Sequence, residues 1–182
     1  MREFNLDKIK AAGTTVGDVY FSRTDLLLPF DGANGATATS DLSDNNHSVT
    51  FAGNTQISTA QSKFGGSSCY FDGTGDYLTI PSSSAFAFAA ANFTIEFWIR
   101  RTATGSYPYV FDFRSGGSEA VVATIYLDHT DSYKPQYYVN GAARIDSSVG
   151  LSDDTWYHIA IVRNSGTTTM YVGGSSAGSF SD

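Results

Sequence analysis

The 182-residue sequence predicts an all-β fold, an antiparallel β-sandwich preceded by a short N-terminal arm. Three observations carry that expectation. Apolar and polar residues alternate with a period of two in several short runs, the pattern of strands with one buried face. Clusters of Gly, Asn, Asp and Ser punctuate those runs at short intervals, as tight turns require. Beyond the arm, no long stretch carries a helical period.

Residues 1–24 do not share this pattern. Phe4, Leu6 and Ile9 are sparse, and Gly13 and Gly17 interrupt any helix. The segment reads either as a frayed terminus or as an arm that docks the domain onto a larger assembly. The sandwich is placed at 25–182. Leu26, Leu27, Leu28 and Phe30 read as its first strand, ended by Asp31-Gly32, and His47 to Phe51 as a short second one. Gly53 to Ser62 reads as polar connection. Cys69 and Phe71 alternate with Ser68, Tyr70 and Asp72, which puts the cysteine and Phe71 on the core face. The cluster Asp72-Gly73-Thr74-Gly75 then turns the chain into Tyr77–Ile80. Phe93, Ile95, Phe97 and Ile99 form an apolar face, with Thr94, Glu96, Trp98 and Arg100 opposite. Tyr109, Phe111 and Phe113 share a face in the next run, and Ser115 to Ser118 makes a hairpin loop. Val121, Ala123, Ile125 and Leu127 alternate with Val122, Thr124, Tyr126 and Asp128. After a loop from His129 to Lys134, residues 136–139 and 142–145 flank Asn140-Gly141, a strong two-residue hairpin signal. Trp156 to Arg163 and Thr167 to Val172 are joined by Asn164-Ser165-Gly166, and GGSSAGS after residue 172 reads as a turn.

Three stretches in this order, FGGSSCYFDGTGDYLTI, FTIEFWIR and WYHIAIVRNSGTTTMYV, resemble laminin-G-like domains of the concanavalin A-like lectin/glucanase superfamily. The resemblance covers roughly residues 26–178 and implies a jelly-roll sandwich. Its polar, Ser/Thr/Gly/Tyr-rich character is similar to copies found in structural proteins of tailed bacteriophages. In the family the first strand lies beside the last, and members continue past a strand like TTTMYV to two more. The sandwich at 25–182 is therefore expected to lack its last strands, and the strand at 26–30 to have an open edge. The fold hosts lectins, glucanases, adhesion modules and spacers, so function has to be argued from residues.

Composition narrows the classes. Hydrophobic content of 41% and 14% aromatics suit a folded globule. The net charge is −7, and residues 1–25 carry four basic and four acidic groups, so the whole excess lies in the sandwich. An acidic domain without a basic stripe makes a poor partner for nucleic acid or anionic lipid, and no window is apolar enough to insert into a membrane. Cys69 is the one cysteine, read as a small buried apolar residue rather than a reactive thiol. With no apolar h-region near the N-terminus, release within a virion is the expected localisation, with an extracellular protein as the alternative.

Glycoside hydrolysis takes two carboxylates. The outward face of the 93–100 run offers Glu96 alone, expected to pair with Arg100 or Arg114, and Glu119 sits by a turn. The chain is therefore expected not to be an enzyme. His47, His129 and His158 are not at metal-ligand spacing, and His158 reads as a hydrogen-bonded structural residue. No cofactor is expected. Calcium is the metal the resemblance admits, through rim aspartates of the kind at Asp31, Asp72, Asp76, Asp128 and Asp131, with no defined ligand set. Sugar binding needs exposed aromatic platforms beside polar groups. Trp98, Tyr107, Tyr126, Tyr133 and Tyr138 are the candidate glycan-binding residues, and Tyr171 is a further outward position.

The expected function is a noncatalytic structural or binding module of a phage virion: tail fibre, tail-associated protein or capsid decoration. Its partners would be other virion proteins through the arm, host surface glycan, and further copies in a homo-oligomer. Two alternatives stand beside it: a carbohydrate-binding adhesion module of a secreted or cell-surface protein, and a divergent glycoside hydrolase.

Overall fold

Alternating sequences of this kind bury one face only when a second sheet covers it. A computed structural model of the chain, describing residues 20–102, 108–114 and 123–182, answers with twelve strands and two single turns of 3-10 helix, Phe21–Arg23 and Ser84–Phe86. Most of the arm (residues 1–19), Tyr107, Glu119 and the loop at Ser115–Ser118 lie outside the described residues. No described helix is long and apolar enough to cross a membrane. The chain divides into two compact units, Met1–Phe86 and Ala87–Asp182.

In the first unit, β1 (Thr50–Ala52) pairs antiparallel with β4 (Tyr77–Thr79) as sheet A, and β2 (Gln56–Ser58) with β3 (Ser68–Tyr70) as sheet B. Residues 26–30 do not form the expected strand. Pro29 supplies no N–H, and Phe30 adopts φ +57°, which breaks an extended run. The segment is tied instead to residues 41–43. Leu42 N–H donates to the Leu27 carbonyl at 2.9 Å, and Leu27 N–H to Asp41 Oδ1 at 2.9 Å. Asp41 is buried and also accepts the N–H groups of Ser43 (2.9 Å) and His47 (2.8 Å), and the Ser43 hydroxyl (2.8 Å). Burial opposes its ionisation, but these donors outweigh it and hold the carboxyl below the usual range. The stretch read as polar connection holds β2, whose Ile57 is fully buried. Cys69, opposite Ile57, is half-buried. Phe71 lies past the end of β3 and is 46% exposed, so it leaves the core face expected for it.

The second unit is a two-sheet sandwich. Sheet C has the order β12-β11-β10-β5, with β5 Phe93–Arg100, β10 Trp156–Asn164, β11 Thr167–Val172 and β12 Ser175–Ser181. Sheet D has the order β6-β7-β8-β9, with β6 Tyr109–Asp112, β7 Thr124–Asp128, β8 Lys134–Val139 and β9 Ala142–Asp146. Ile159, Ile161, Met170 and Val172 of sheet C meet Ile125, Leu127, Tyr137 and Ile145 of sheet D in the core, with Phe97, Ile99 and Phe111 packed around them. Three hairpins turn on two residues, both at positive φ: Asn140-Gly141, Ser165-Gly166 and Gly173-Gly174. Such turns match the right-handed twist of the flanking strands.

The residues after Val172 are not merely a turn. They form β12, which pairs with β11, buries Ala177 and packs Phe180 on the core. Ser148 N–H donates to the Ala177 carbonyl at 2.8 Å, so β12 meets the segment after β9 and closes that side of the sandwich. Arg163, on the inner face of β10, is buried. Its Nε donates to Asp182 at 2.8 Å, and its NH1 to the carbonyls of Ala90 and Ala91, the latter at 3.1 Å.

Candidate functional site

Because neighbours across an antiparallel ladder stand side by side on one face, register decides which polar residues of sheet D meet. Tyr109 lies opposite Tyr126, Tyr126 opposite Gln136, and Gln136 opposite Asp146. These four residues form one row across all four strands, on the face away from the core. A second row runs Asp112, Thr124, Tyr138, Ala143, and Asp128 opposite Lys134 begins a third.

The first row is wired together. The Tyr126 hydroxyl donates to Gln136 Oε1. Gln136 Nε2 donates to Asp146 Oδ1 at 3.2 Å and to Asp128 Oδ2 at 3.3 Å. Gln136 is nearly buried, so its amide is fixed rather than free. Burial, then the charge of Asp128, push the Tyr126 phenol above its ordinary pKa and keep it a donor. The Tyr109 ring sits 5.9 Å from that of Tyr126 and is 58% exposed. The Arg114 guanidinium lies 5.4 Å from the Tyr109 ring and chelates Asp112 through Nε at 2.8 and 3.0 Å, while Thr124 Oγ1 donates to Asp112 at 3.1 Å. The Arg114 side chain, the first cause, holds the Asp112 carboxyl well below the usual range. The result is an acidic, hydrogen-bonded face with an aromatic plate at one edge.

Of the residues singled out in the sequence, the structure brings Tyr126 and Tyr138 to this face. Trp98 stands on the outer face of sheet C, where its ring lies 5.2 Å from that of His158. Tyr133, at φ +52°, carries the Arg101 guanidinium 3.3 Å above its ring, and Arg101 also pairs with Asp153. Tyr133 is thus a stacking partner within the loop. Tyr107 lies outside the described residues. Tyr109, Gln136 and Asp146 were missed. Tyr109 was grouped with Phe111, but a bulge between them shifts the register and turns Tyr109 outward; no sequence signal marks that bulge. Gln136 and Asp146 depend on a bulge as well: the Asn140-Gly141 hairpin alone would set Gln136 opposite Ile145, and the register shift between Tyr137 and Tyr138 brings Asp146 there instead.

Glu96 pairs with neither Arg100 nor Arg114. Its carboxylate meets His158 Nε2 at 3.1 Å, while Arg100 pairs with Asp154. His158 is hydrogen-bonded as expected. Among the aspartates considered for calcium, Asp72 accepts the Thr74 N–H, Asp76 the N–H of Asp72 (2.7 Å), Asp128 the Thr130 N–H, and Asp131 the Lys134 ammonium. Among the described residues, no three His, Cys, Asp or Glu side chains converge as metal ligands.

Comparison with known proteins gives two matches. A laminin G-type family model, described as the concanavalin A-like lectin/glucanases superfamily, matches residues 72–182. Among solved structures, the chain is similar to the binding domain of Paraclostridial Mosquitocidal Protein 1, with a TM-score of 0.56 and 20% identity over 86% of this chain and 39% of that one. The chain thus spans well under half of that solved protein, and at such identity the likeness is one of fold. No curated protein matches the sequence.

Proposed function

The chain belongs to the concanavalin A-like lectin/glucanases superfamily, and from that premise we propose that it is a noncatalytic glycan-binding module whose ligand lies on the outer face of sheet D. The observation that carries this reading is the row Tyr109–Tyr126–Gln136–Asp146. An exposed tyrosine ring offers a plate for the C–H face of a sugar, and the Asp128 and Asp146 carboxylates, held in place by the Gln136 amide, offer acceptors for hydroxyls. The network is held by its own hydrogen bonds, so little ordering cost falls on binding.

A noncatalytic role is supported by the carboxylates. Asp41, Asp72, Asp112 and Asp128 are all displaced toward ionisation, whereas a glycosidase needs an acid with a raised pKa. Glu96 is engaged with His158 on the other sheet. The setting we favour is a phage particle, as a tail-fibre, tail-associated or capsid-decoration protein facing host glycan. The acidic, cysteine-poor, Ser/Thr/Gly/Tyr-rich composition supports it. The second reading, an adhesion module of a secreted or cell-surface protein, is favoured by the fold likeness to the binding domain of a mosquitocidal protein.

A glycan array with the full chain tests the site. Binding should be weakened about tenfold or more by Tyr109→Ala and by Gln136→Ala, with no release of reducing sugar from any bound glycan. An array that stays blank, or binding indifferent to both substitutions, refutes the site. Mass spectrometry of purified particles separates the two settings.

A further inference from the structure

The first unit holds a depression of about 540 Å³, lined by Thr37, Asn54, Thr55, Gln56, Tyr70 and Asp72, that the sheet D reading does not use. Gln56 and Tyr70 are cross-strand partners in the β2–β3 ladder. The neighbouring pair, Ile57 and Cys69, takes the inner side, so Gln56 and Tyr70 project together on the outer one. Tyr70 is 49% exposed. The Tyr70 phenol, the Gln56 amide and the Thr37 hydroxyl make no side-chain hydrogen bond among the described residues.

The opposite wall is rigid. The Asp76 carboxylate accepts the N–H of Asn54 and, at 2.7 Å, that of Asp72, and so clasps the β1–β2 turn to the β3–β4 turn. Gly53, at φ +68°, sits where any Cβ would strike that carboxylate and the Gly75 carbonyl, so the two turns can approach only with glycine there. Asn54 Nδ2 donates to Asp72 Oδ2 at 3.2 Å, and Thr74 N–H donates to Asp72 Oδ1 at 2.7 Å. Asn54 and Asp72, on this wall, are thus fixed by their own hydrogen bonds.

We propose that this depression is a second ligand site, independent of the sheet D face, for one uncharged, hydroxyl-rich pyranose unit stacked on Tyr70 and hydrogen-bonded by Gln56, Asn54, Thr37 and Asp72. The depression is open to solvent and wide enough for one ring. Among the described residues no cation lines it, so the Asp72 carboxylate repels an anionic sugar. A compact cation over Tyr70 would satisfy Asp72 but leave the amides and the hydroxyl without partners. A pyranose ring matches both halves, with an apolar C–H face for the ring and hydroxyls for the rest.

The test is a heteronuclear NMR titration of the isotope-labelled full chain with methyl glycosides of glucose, galactose, mannose and N-acetylglucosamine, each into the tens of millimolar. The expected result is saturable shifts at the amides of Asn54, Gln56, Tyr70 and Asp72 with at least one glycoside. Those shifts should need about tenfold more ligand in Tyr70→Ala and be retained in Tyr70→Phe. The methyl glycoside of N-acetylneuraminic acid, whose single pyranose is anionic, and tetramethylammonium should leave the four amides in place. The proposal is overturned if these amides move with none of the glycosides, if Tyr70→Ala and Gln56→Ala both titrate like the parent, or if tetramethylammonium saturates the site instead. Shifts confined to the Tyr109–Asp146 row would sink this site and leave the sheet D reading intact. The converse pattern would do the reverse.

Discussion

Cys69 keeps its proton because the β2–β3 pair buries its sulfur, and the Asp76 charge adds to that effect; together they push the thiol up to about 12. At pH 8 the native protein should therefore react with a disulfide reagent about a thousandfold more slowly than unfolded chain, whose thiol has an ordinary pKa. Rapid native labelling would place the sulfur outside the β2–β3 interior. Two other residues make the stability of the fold depend on pH. Burial, then the Asp182 charge, push the Tyr137 phenol to about 12. A raised acid of this kind contributes stability that is intact below about pH 10, the unfolded value, and is lost as pH climbs toward 12. Tyr137→Phe should flatten the alkaline limb of a denaturation curve. Asp41 works in the other direction, because its carboxyl is depressed by backbone donors that overcome burial. Its contribution is present above about pH 4 and disappears as pH falls through the lower, folded value. Asp41→Ala, which leaves three buried or part-buried N–H groups and the Ser43 hydroxyl without their acceptor, should cost the first unit about 2–4 kcal/mol in urea unfolding at neutral pH.

Elements with strong periodicity and marked turns were readable from sequence: β5, β7, β10, β11 and the hairpin at Asn140-Gly141 all lie where alternation put them. The failures have distinct physical causes. The 26–30 run is apolar enough for a strand, but Pro29 and the left-handed Phe30 deny it a ladder, and Asp41 supplies the partners a neighbouring strand would have given. β12 was hidden because Ser, Ala and Gly have weak strand propensity. It forms because Ala177 and Phe180 complete a core that was already specified. The candidate site was legible only in part, since Tyr126 and Tyr138 follow from alternation while Tyr109 depends on a bulge. The place of β12 can be tested directly. A Cβ at Gly178 would come within 2.7 Å of Ile145 Cγ2, so Gly178→Ala should destabilise the second unit by about 1–3 kcal/mol. The exposed Ser176→Ala should be near neutral. Equal, small effects at both positions would argue against β12 lying over Ile145.

At the scale of the whole chain, the two units are held by different means. The second has a contiguous apolar core between two four-stranded sheets. The first has two-stranded pairs, with buried Ile57 beside buried polar groups such as Asp41, Ser43, Thr55 and Ser67. Short ladders and few apolar contacts mark regions that open at low free energy. Hydrogen exchange should therefore find the slowest amides at Ile159, Ile161 and Met170, and exchange at 50–79 should be faster and follow a separate opening reaction. Uniform protection across both units would contradict this.

The reach of Arg163 has a mechanical consequence. β5 and β12 are the two edges of sheet C, and Phe93 pairs with Arg163 while Ser181 pairs with Thr167, one hairpin away. β5 therefore starts and β12 ends at the same end of the sheet, about 14 Å apart for three strand spacings, and Arg163 grips both Ala90–Ala91 and Asp182 across that gap. Tension applied at the two ends would peel the edge strands one hydrogen bond at a time, like a zip, rather than shear a whole ladder at once. The guanidinium is the clasp at the top of that zip. Cutting it, as in Arg163→Ala, removes the donor to Asp182 and to the Ala90 and Ala91 carbonyls and should cost about 1–3 kcal/mol at rest. Under load it should lower the unfolding force more than any loss of packing deeper in the core.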